Sequence, residues 1–244
     1  MKQVALALSL LFCQASYGQT KGSITFDATT NLHKGLINPT PKFKASMPEF
    51  RTTKNILMYN GNQVVYKNLD ENPSGETVTK NAEGSGFTKR VGPPPAHVFT
   101  DLKKKEMIQR RGLSGEVYRL KDGYEDFKWV ITGETKTILG YLCKKATGKN
   151  DRGQDLIAWF TESLKVPSGP AWYNGLPGMI LEVDVDNGFV VYKAVQFGKE
   201  VDEKQIAAPQ DGITVNRKEY NNLMKEDRLQ QENLRKAIMG QSGN

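Results

Sequence analysis

Few side chains in this sequence can do acid–base or covalent chemistry, and their spacing limits what they can do. Cys143 is the only thiol in the body of the chain, and His33 and His97 are its only imidazoles. A catalytic thiol needs a base, which can come from a distant part of the sequence, so Cys143 with either histidine is a candidate nucleophile. Lys144 and Lys145 would favour the thiolate, yet side chains alternate along a strand and one of the two must point away. The competing reading makes Cys143 a small apolar side chain buried in a strand, the usual fate of free cysteine. Neither histidine has a second histidine, cysteine or carboxylate at metal-ligand spacing, so no metal and no cofactor is expected. Glu182, Asp184 and Asp186 alternate as a calcium loop does at its start. The pattern fails at Asn187, where the loop needs glycine, and at Lys193, where it needs a bidentate glutamate. They predict an exposed strand face instead. With no nucleophile elbow, phosphate loop or paired-carboxylate signature, no residue is assigned a catalytic role.

The stretch best suited to binding runs from Ser168 to Glu182. Trp172, Tyr173, Gly175, Leu176, Pro177 and Gly178 stand together there, and Trp159 lies on the preceding strand. Aromatic rings beside a glycine-rich corner stack on a sugar, cover an apolar ligand, or pack in a core where glycine makes room. Pro177 fixes its own φ and Gly178 tolerates the positive φ of a type II turn, so Leu176–Met179 is expected to reverse the chain and launch a strand.

The elements that must position these residues are short strands. Ser23–Ala28 alternates apolar and polar residues. Asn55–Tyr59 and Gln63–Lys67 flank Asn60-Gly61, a strong hairpin signal. His97–Asp101, Glu106–Arg111, Glu116–Leu120 and Phe127–Thr132 follow one another as a meander. Lys136–Thr147 and Asp155–Thr161 read as two long strands joined by the polar turn Gly148–Gly153. Met179–Asp186 and Phe189–Phe197 form a hairpin about Asn187-Gly188, a register that sets Glu182 opposite Lys193 as a cross-strand ion pair. Between these lies 70–96, rich in Gly, Ser, Asn and Pro, which reads as a long polar loop. Arg217–Met239 has an amphipathic helical pattern that Gly240 would end. The fold class is therefore mainly β: a single curved antiparallel sheet, an open barrel or bowl of roughly nine to eleven strands, with a C-terminal helix. A helix covering the concave face would leave room for a ligand.

Lys2, the apolar run Val4–Phe12 and the small residues Ser16-Tyr17-Gly18 make the first 18 residues a secretory signal. The division is then 1–18 signal, 19–214 antiparallel β domain and 215–244 helix and tail. Phe12 before Cys13 argues against lipid attachment there, and removal of Cys13 leaves Cys143 without a disulfide partner. No transmembrane segment is expected once the signal is gone, because Val4–Phe12 is too short to span a bilayer. The expected location is the periplasm, the outer-membrane surface or the medium. The formal charge of +7 falls to +6 without Lys2, and the basic residues are dispersed rather than gathered with aromatics, so nucleic acid is not an expected partner.

The order of blocks Lys128-Trp129, Glu134-Thr135-Lys136, Gly140-Tyr141, Cys143-Lys144-Lys145-Ala146 and Ala158-Trp159-Phe160, followed by Gly175-Leu176-Pro177-Gly178, resembles the GLPGLI family of Bacteroidetes envelope proteins, with Met179 in place of the second leucine. More distantly the chain resembles the N-terminal bowl-like module of a bacterial peptide-N-glycosidase and the half-barrels of periplasmic lipoprotein carriers. These resemblances imply a fold and assign no function by themselves; the curved sheet with its covering helix makes a non-enzymatic binding or accessory module the leading reading, for an apolar or glycan ligand, with Trp172, Tyr173 and the Gly175–Gly178 corner as one wall. A periplasmic thiol enzyme using Cys143 and a structural accessory of an outer-membrane transporter are the rival readings.

Overall fold

A computed structural model describes residues 20–36, 39–69, 76–80, 86–90, 97–125, 127–198 and 200–241. The expected signal segment 1–18, with Cys13, lies outside them. The elements are β1 (Lys21–Asn31), α1 (Pro41–Ala45), β2 (Phe50–Asn60), β3 (Gln63–Asn68), β4 (Glu76–Lys80), β5 (Gly86–Arg90), β6 (His97–Asp101), β7 (Glu106–Leu113), β8 (Glu116–Gly123), β9 (Val130–Ile138), β10 (Tyr141–Lys149), β11 (Asp155–Thr161), β12 (Met179–Val185), β13 (Val190–Gly198), a 3-10 turn at Glu203–Gln205, β14 (Ile213–Val215) and α2 (Arg217–Gln241). Twelve strands form one open sheet in the order β14-β8-β7-β6-β3-β2-β1-β13-β12-β11-β10-β9, while β4 and β5 pair separately. The fold class is as expected. The strand count exceeds the expected range because β14, three residues long, adds itself parallel to β8.

Two antiparallel meanders make the sheet, and the pairing of β1 with β13 joins them. Chain geometry then forces it to curl. The link Tyr124–Trp129 between β8 and β9 reaches at most about 25 Å. A flat sheet would hold those two strands about 48 Å apart, at about 4.8 Å for each of ten spacings. A strongly curved bowl is the way to satisfy both. The inner face carries the main core, with Ile24, Phe26, Leu57, Tyr66, Phe160, Leu181, Val183 and Tyr192 all buried. Phe26, Tyr66, Tyr192 and Tyr173 run through it edge to face, at centroid separations of 6.1, 6.4 and 5.8 Å.

The hairpins carry the register the sequence implies. Asn60 faces Gln63, and the loop between them is Gly61-Asn62, with Gly61 at a φ of +57°. Glu182 faces Lys193, as expected, and the turn widens to Asp186–Phe189 with three successive positive φ values at Asp186, Asn187 and Gly188. The expected ion pair is corrected: Glu182 Oε1 binds Lys136 Nζ at 2.7 Å. The expected strand Lys136–Thr147 is broken by a two-residue turn, Leu139-Gly140, with φ of +49° and +85°. Val130–Ile138 thus becomes one strand and Tyr141–Lys149 its hairpin partner. The expected loop 70–96 contains the β4–β5 hairpin.

After β13 the chain crosses the outer face as a strap. Lys21 of β1 pairs with Glu203, Lys67 of β3 with Gln205, His97 of β6 with the Ala207 carbonyl, Arg110 of β7 with Asp211 and Arg119 of β8 with Thr214. Ile206 seals a second small core with Met58, Val65 and Phe99. Asn216 then caps α2 reciprocally with Glu219: each side chain accepts from the other's backbone N–H, at 2.9 and 2.8 Å. The first turns of α2 pack Tyr220 against Tyr118, with ring centroids 5.9 Å apart, beside Leu120 and Val215. With these turns the helix covers this end of the inner face, and it runs through Gly240 to Gln241 rather than stopping before it.

Candidate functional site

The Gly175–Gly178 corner belongs to a compact loop between β11 and β12 that folds onto the inner core. Tyr173 and Leu176 are buried, Gly175 and Pro177 are exposed, and Trp172 and Trp159 are half-buried. The turn differs from the type II geometry expected. Gly178 N–H donates to the Leu176 carbonyl at 2.8 Å, which closes a three-residue turn about Pro177. Met179 N–H bonds the Leu164 carbonyl at 3.1 Å and Ile180 N–H the Ser168 carbonyl at 2.8 Å, so the loop is laced to the strand it launches. Trp172 is already packed where a sugar would stack: Tyr173 stacks 5.6 Å away and the Arg111 guanidinium lies 4.4 Å from its centroid. Trp159 sits on another wall, with Lys136 Nζ 4.3 Å from its ring.

Cys143 is fully buried, and its Sγ donates to the Tyr141 carbonyl at 3.5 Å. Burial is the main cause that lifts its thiol from 9.0 to about 11. Both histidines spend their hydrogen bonds elsewhere, His33 on the Met47 carbonyl and His97 on Ala207. The thiol–imidazole pair of the enzyme reading is therefore not assembled. Burial likewise lifts Tyr59 and Tyr192 to about 12. Above pH 9 the unfolded thiol ionises while the folded one keeps its proton, so the unfolded state binds fewer protons and stability falls as pH rises. Cys143 alone should cost roughly 2 kcal/mol between pH 9 and 11, with the tyrosines adding to the loss above 10. Urea melts at pH 8 and pH 11 should show this loss, and iodoacetamide should label Cys143 at pH 8 only after denaturant is added.

A wide opening lies elsewhere, at the seam where the ends of the curled sheet approach. It is a cleft of about 790 Å³ walled by the β8–β9 link (Tyr124, Glu125, Lys128), the β10–β11 end (Thr147, Asn150, Asp151, Asp155) and Arg217 at the start of α2. The link is held against β10 because Gly148 lacks a side chain: a Cβ there would lie 2.6 Å from the Phe127 carbonyl oxygen. Phe127 pegs the seam, its ring 5.3 Å from both Trp129 and Tyr173, and Trp129 Nε1–H donates to the Asn174 carbonyl at 2.8 Å. Arg217 anchors the far wall through Asp122, at 2.9 Å, and through Glu125. Burial works against its charge, but the two carboxylates outweigh that and raise its pKa. The Tyr124 hydroxyl and Arg217 Nη2 are buried without a hydrogen-bond partner among the described residues. No residue lining the cleft stood out in the sequence as a candidate for binding, because the lining comes from three separate segments that share no motif.

A family model described as N-glycanase peptide, N-terminal domain, matches residues 121–227, which include every residue lining the cleft. Two solved structures of PNGF-II, in the P21 and C2 space groups, are similar in fold, with TM-scores of 0.51 and 0.52 at 19% and 17% identity. The similarity covers 86% and 85% of this chain but 34% and 33% of theirs, so the chain spans about a third of the length of those proteins. An uncharacterized conserved protein from Thermus thermophilus aligns over 82% of this chain and 91% of its own, at 9% identity and a TM-score of 0.40. No curated protein matches the chain.

Proposed function

We propose that this protein is an exported, non-enzymatic binding module whose seam cleft accepts a glycan. The observation that carries this reading is the composition of the cleft wall. Glu125, Asp151 and Asp155 accept hydrogen bonds, Lys128, Lys149 and Arg217 donate them, Thr147 and Asn150 do both, and Tyr124 adds a ring. Sugar hydroxyls each donate and accept while the C–H faces of the ring are apolar, and a wall that sets these polar groups beside Phe127 and Val130 serves both. The similarity of residues 121–227 to an N-glycanase N-terminal domain supports a carbohydrate-related role. Cys143, buried with its pKa near 11, offers no support for the thiol-enzyme alternative.

Calorimetry against a panel of neutral oligosaccharides tests the proposal. At least one should bind, and Tyr124→Ala or Asn150→Ala should weaken it roughly tenfold, as expected for loss of a good polar or stacking contact. No binding across the panel, or full affinity in both variants, would sink it.

A protein partner, such as an outer-membrane transporter, is the second reading, and the sheet edge favours it. Strand β9 is a terminal strand of the sheet, and Val130 and Ile131 on it are 63% and 47% exposed. Such an edge is a template for strand addition by another chain.

A further inference from the structure

Arg111, on β7, sits in an arrangement that neither the corner nor the cleft explains. On β7, Met107, Gln109 and Arg111 follow one another on the inner face. Gln109, 1% exposed, donates from Nε2 to Met107 Sδ at 3.2 Å, which fixes its amide with the oxygen toward Arg111. That oxygen accepts from Arg111 Nε at 3.0 Å and from Nη2 at 2.5 Å. The guanidinium is thereby held over the Trp172 ring, 4.4 Å from its centroid, and Trp172 in turn stacks with Tyr173. A guanidinium has five donors. Gln109 engages two of them, and no carboxylate forms an ion pair with Arg111 among the described residues.

The surroundings deepen the imbalance. Burial depresses the pKa of Arg111, and the positive charge of Arg152, on the exposed β10–β11 turn, reaches both Arg111 and Tyr173. Glu125, a carboxylate whose charge acts on Arg111, is already engaged by Arg217. A cation that is braced, half-buried and without a counter-charge is a receptor for a negative group. We propose that Arg111, held by Gln109 over Trp172, binds an oxyanion, a carboxylate or sulfate carried by a small ligand. Trp172 thereby enters as the platform that orients Arg111, in place of the sugar-stacking surface its neighbours suggested. The site stands apart from the cleft, whose wall includes neither Arg111 nor Trp172.

The test is a titration of the full chain with glucuronate, inorganic sulfate and glucose, following the indole NMR signal of Trp172 and the melting temperature. Glucuronate and sulfate should both shift the signal and raise the melting temperature, less so as sodium chloride is added, and glucose should do neither. Response to glucuronate alone would narrow the site to carboxylates. Arg111→Gln should weaken the anions roughly tenfold or more, and Arg111→Lys, which keeps the charge but loses the fork, should weaken them less. Arg152→Ala, at an exposed turn, keeps the test decisive if the Arg111 variants unfold, and it should weaken the anions several-fold. The proposal is overturned if neither anion binds, if glucose acts as glucuronate does, or if Arg152→Ala and every folded Arg111 variant bind glucuronate as the wild type does.

Discussion

Gly178→Val is expected to cost roughly 3–5 kcal/mol of stability, from strain at positive φ together with overlap against a rigid neighbour. The backbone at Gly178 has a φ of +156°, and a Cβ placed there would lie 2.1 Å from the Thr161 carbonyl oxygen and 2.8 Å from its carbon. Those are main-chain atoms at the end of β11, whose position is fixed by pairing with β10 and β12. They cannot swing aside as a side chain would. At about 2–4 °C per kcal/mol for a chain of this size, the melting temperature should fall by roughly 6–20 °C in a thermal scan. An unchanged melting temperature would refute the close-approach account, and loss of a ligand without loss of stability would make the corner a binding site.

Phe127→Ala should be comparably severe. The ring is 2% exposed and pegs the β8–β9 link to Trp129 and Tyr173. Buried Phe→Ala changes cost about 3–5 kcal/mol through lost transfer energy and the cavity left behind. Here the loss has a second effect. The same link walls the seam cleft, so a variant still folded at 20 °C should also bind cleft ligands more weakly than Tyr124→Ala does. Denaturant melts and calorimetry on one preparation measure both, and a stability loss below about 1 kcal/mol would show that the seam is held by something else.

The fold was legible where local chemistry dictates geometry. Asn187-Gly188 fixed the pairing of Glu182 with Lys193, and Asn60-Gly61 marked the β2–β3 hairpin, because both sequences tolerate the positive φ that tight hairpins need. Leu139-Gly140 was hidden for the same reason: leucine rarely adopts positive φ, so an apolar run from Thr137 to Leu142 reads as unbroken strand. The partner of Glu182 was also hidden. Register names the residue opposite, but Lys136 arrives from three strands away along the curved sheet. The site was the least legible part. Trp172 and Tyr173 drew attention as a binding wall because aromatic rings beside glycines look the same whether they are open or packed. Glu125, Asn150 and Arg217 meet only because a short link bends the sheet, and Arg111 gains its meaning from having no carboxylate ion pair among the described residues.

The pairing of β1 with β13 bears on how the molecule comes into being. Thr30 pairs with Val190 and Ser23 with Gly198, so the partners lie 160 to 175 positions apart in sequence. At about 5–20 residues per second, a ribosome leaves the first strand waiting roughly ten to thirty seconds for the strand that completes its far side. During that interval β2 can protect one edge of β1, while the other stays a bare row of amides and carbonyls. Contacts this remote also slow the search for the native state. The nascent protein is therefore most vulnerable to misassociation at its first strand, and a holdase that covers residues 21–31 would protect the step on which closure of the bowl depends.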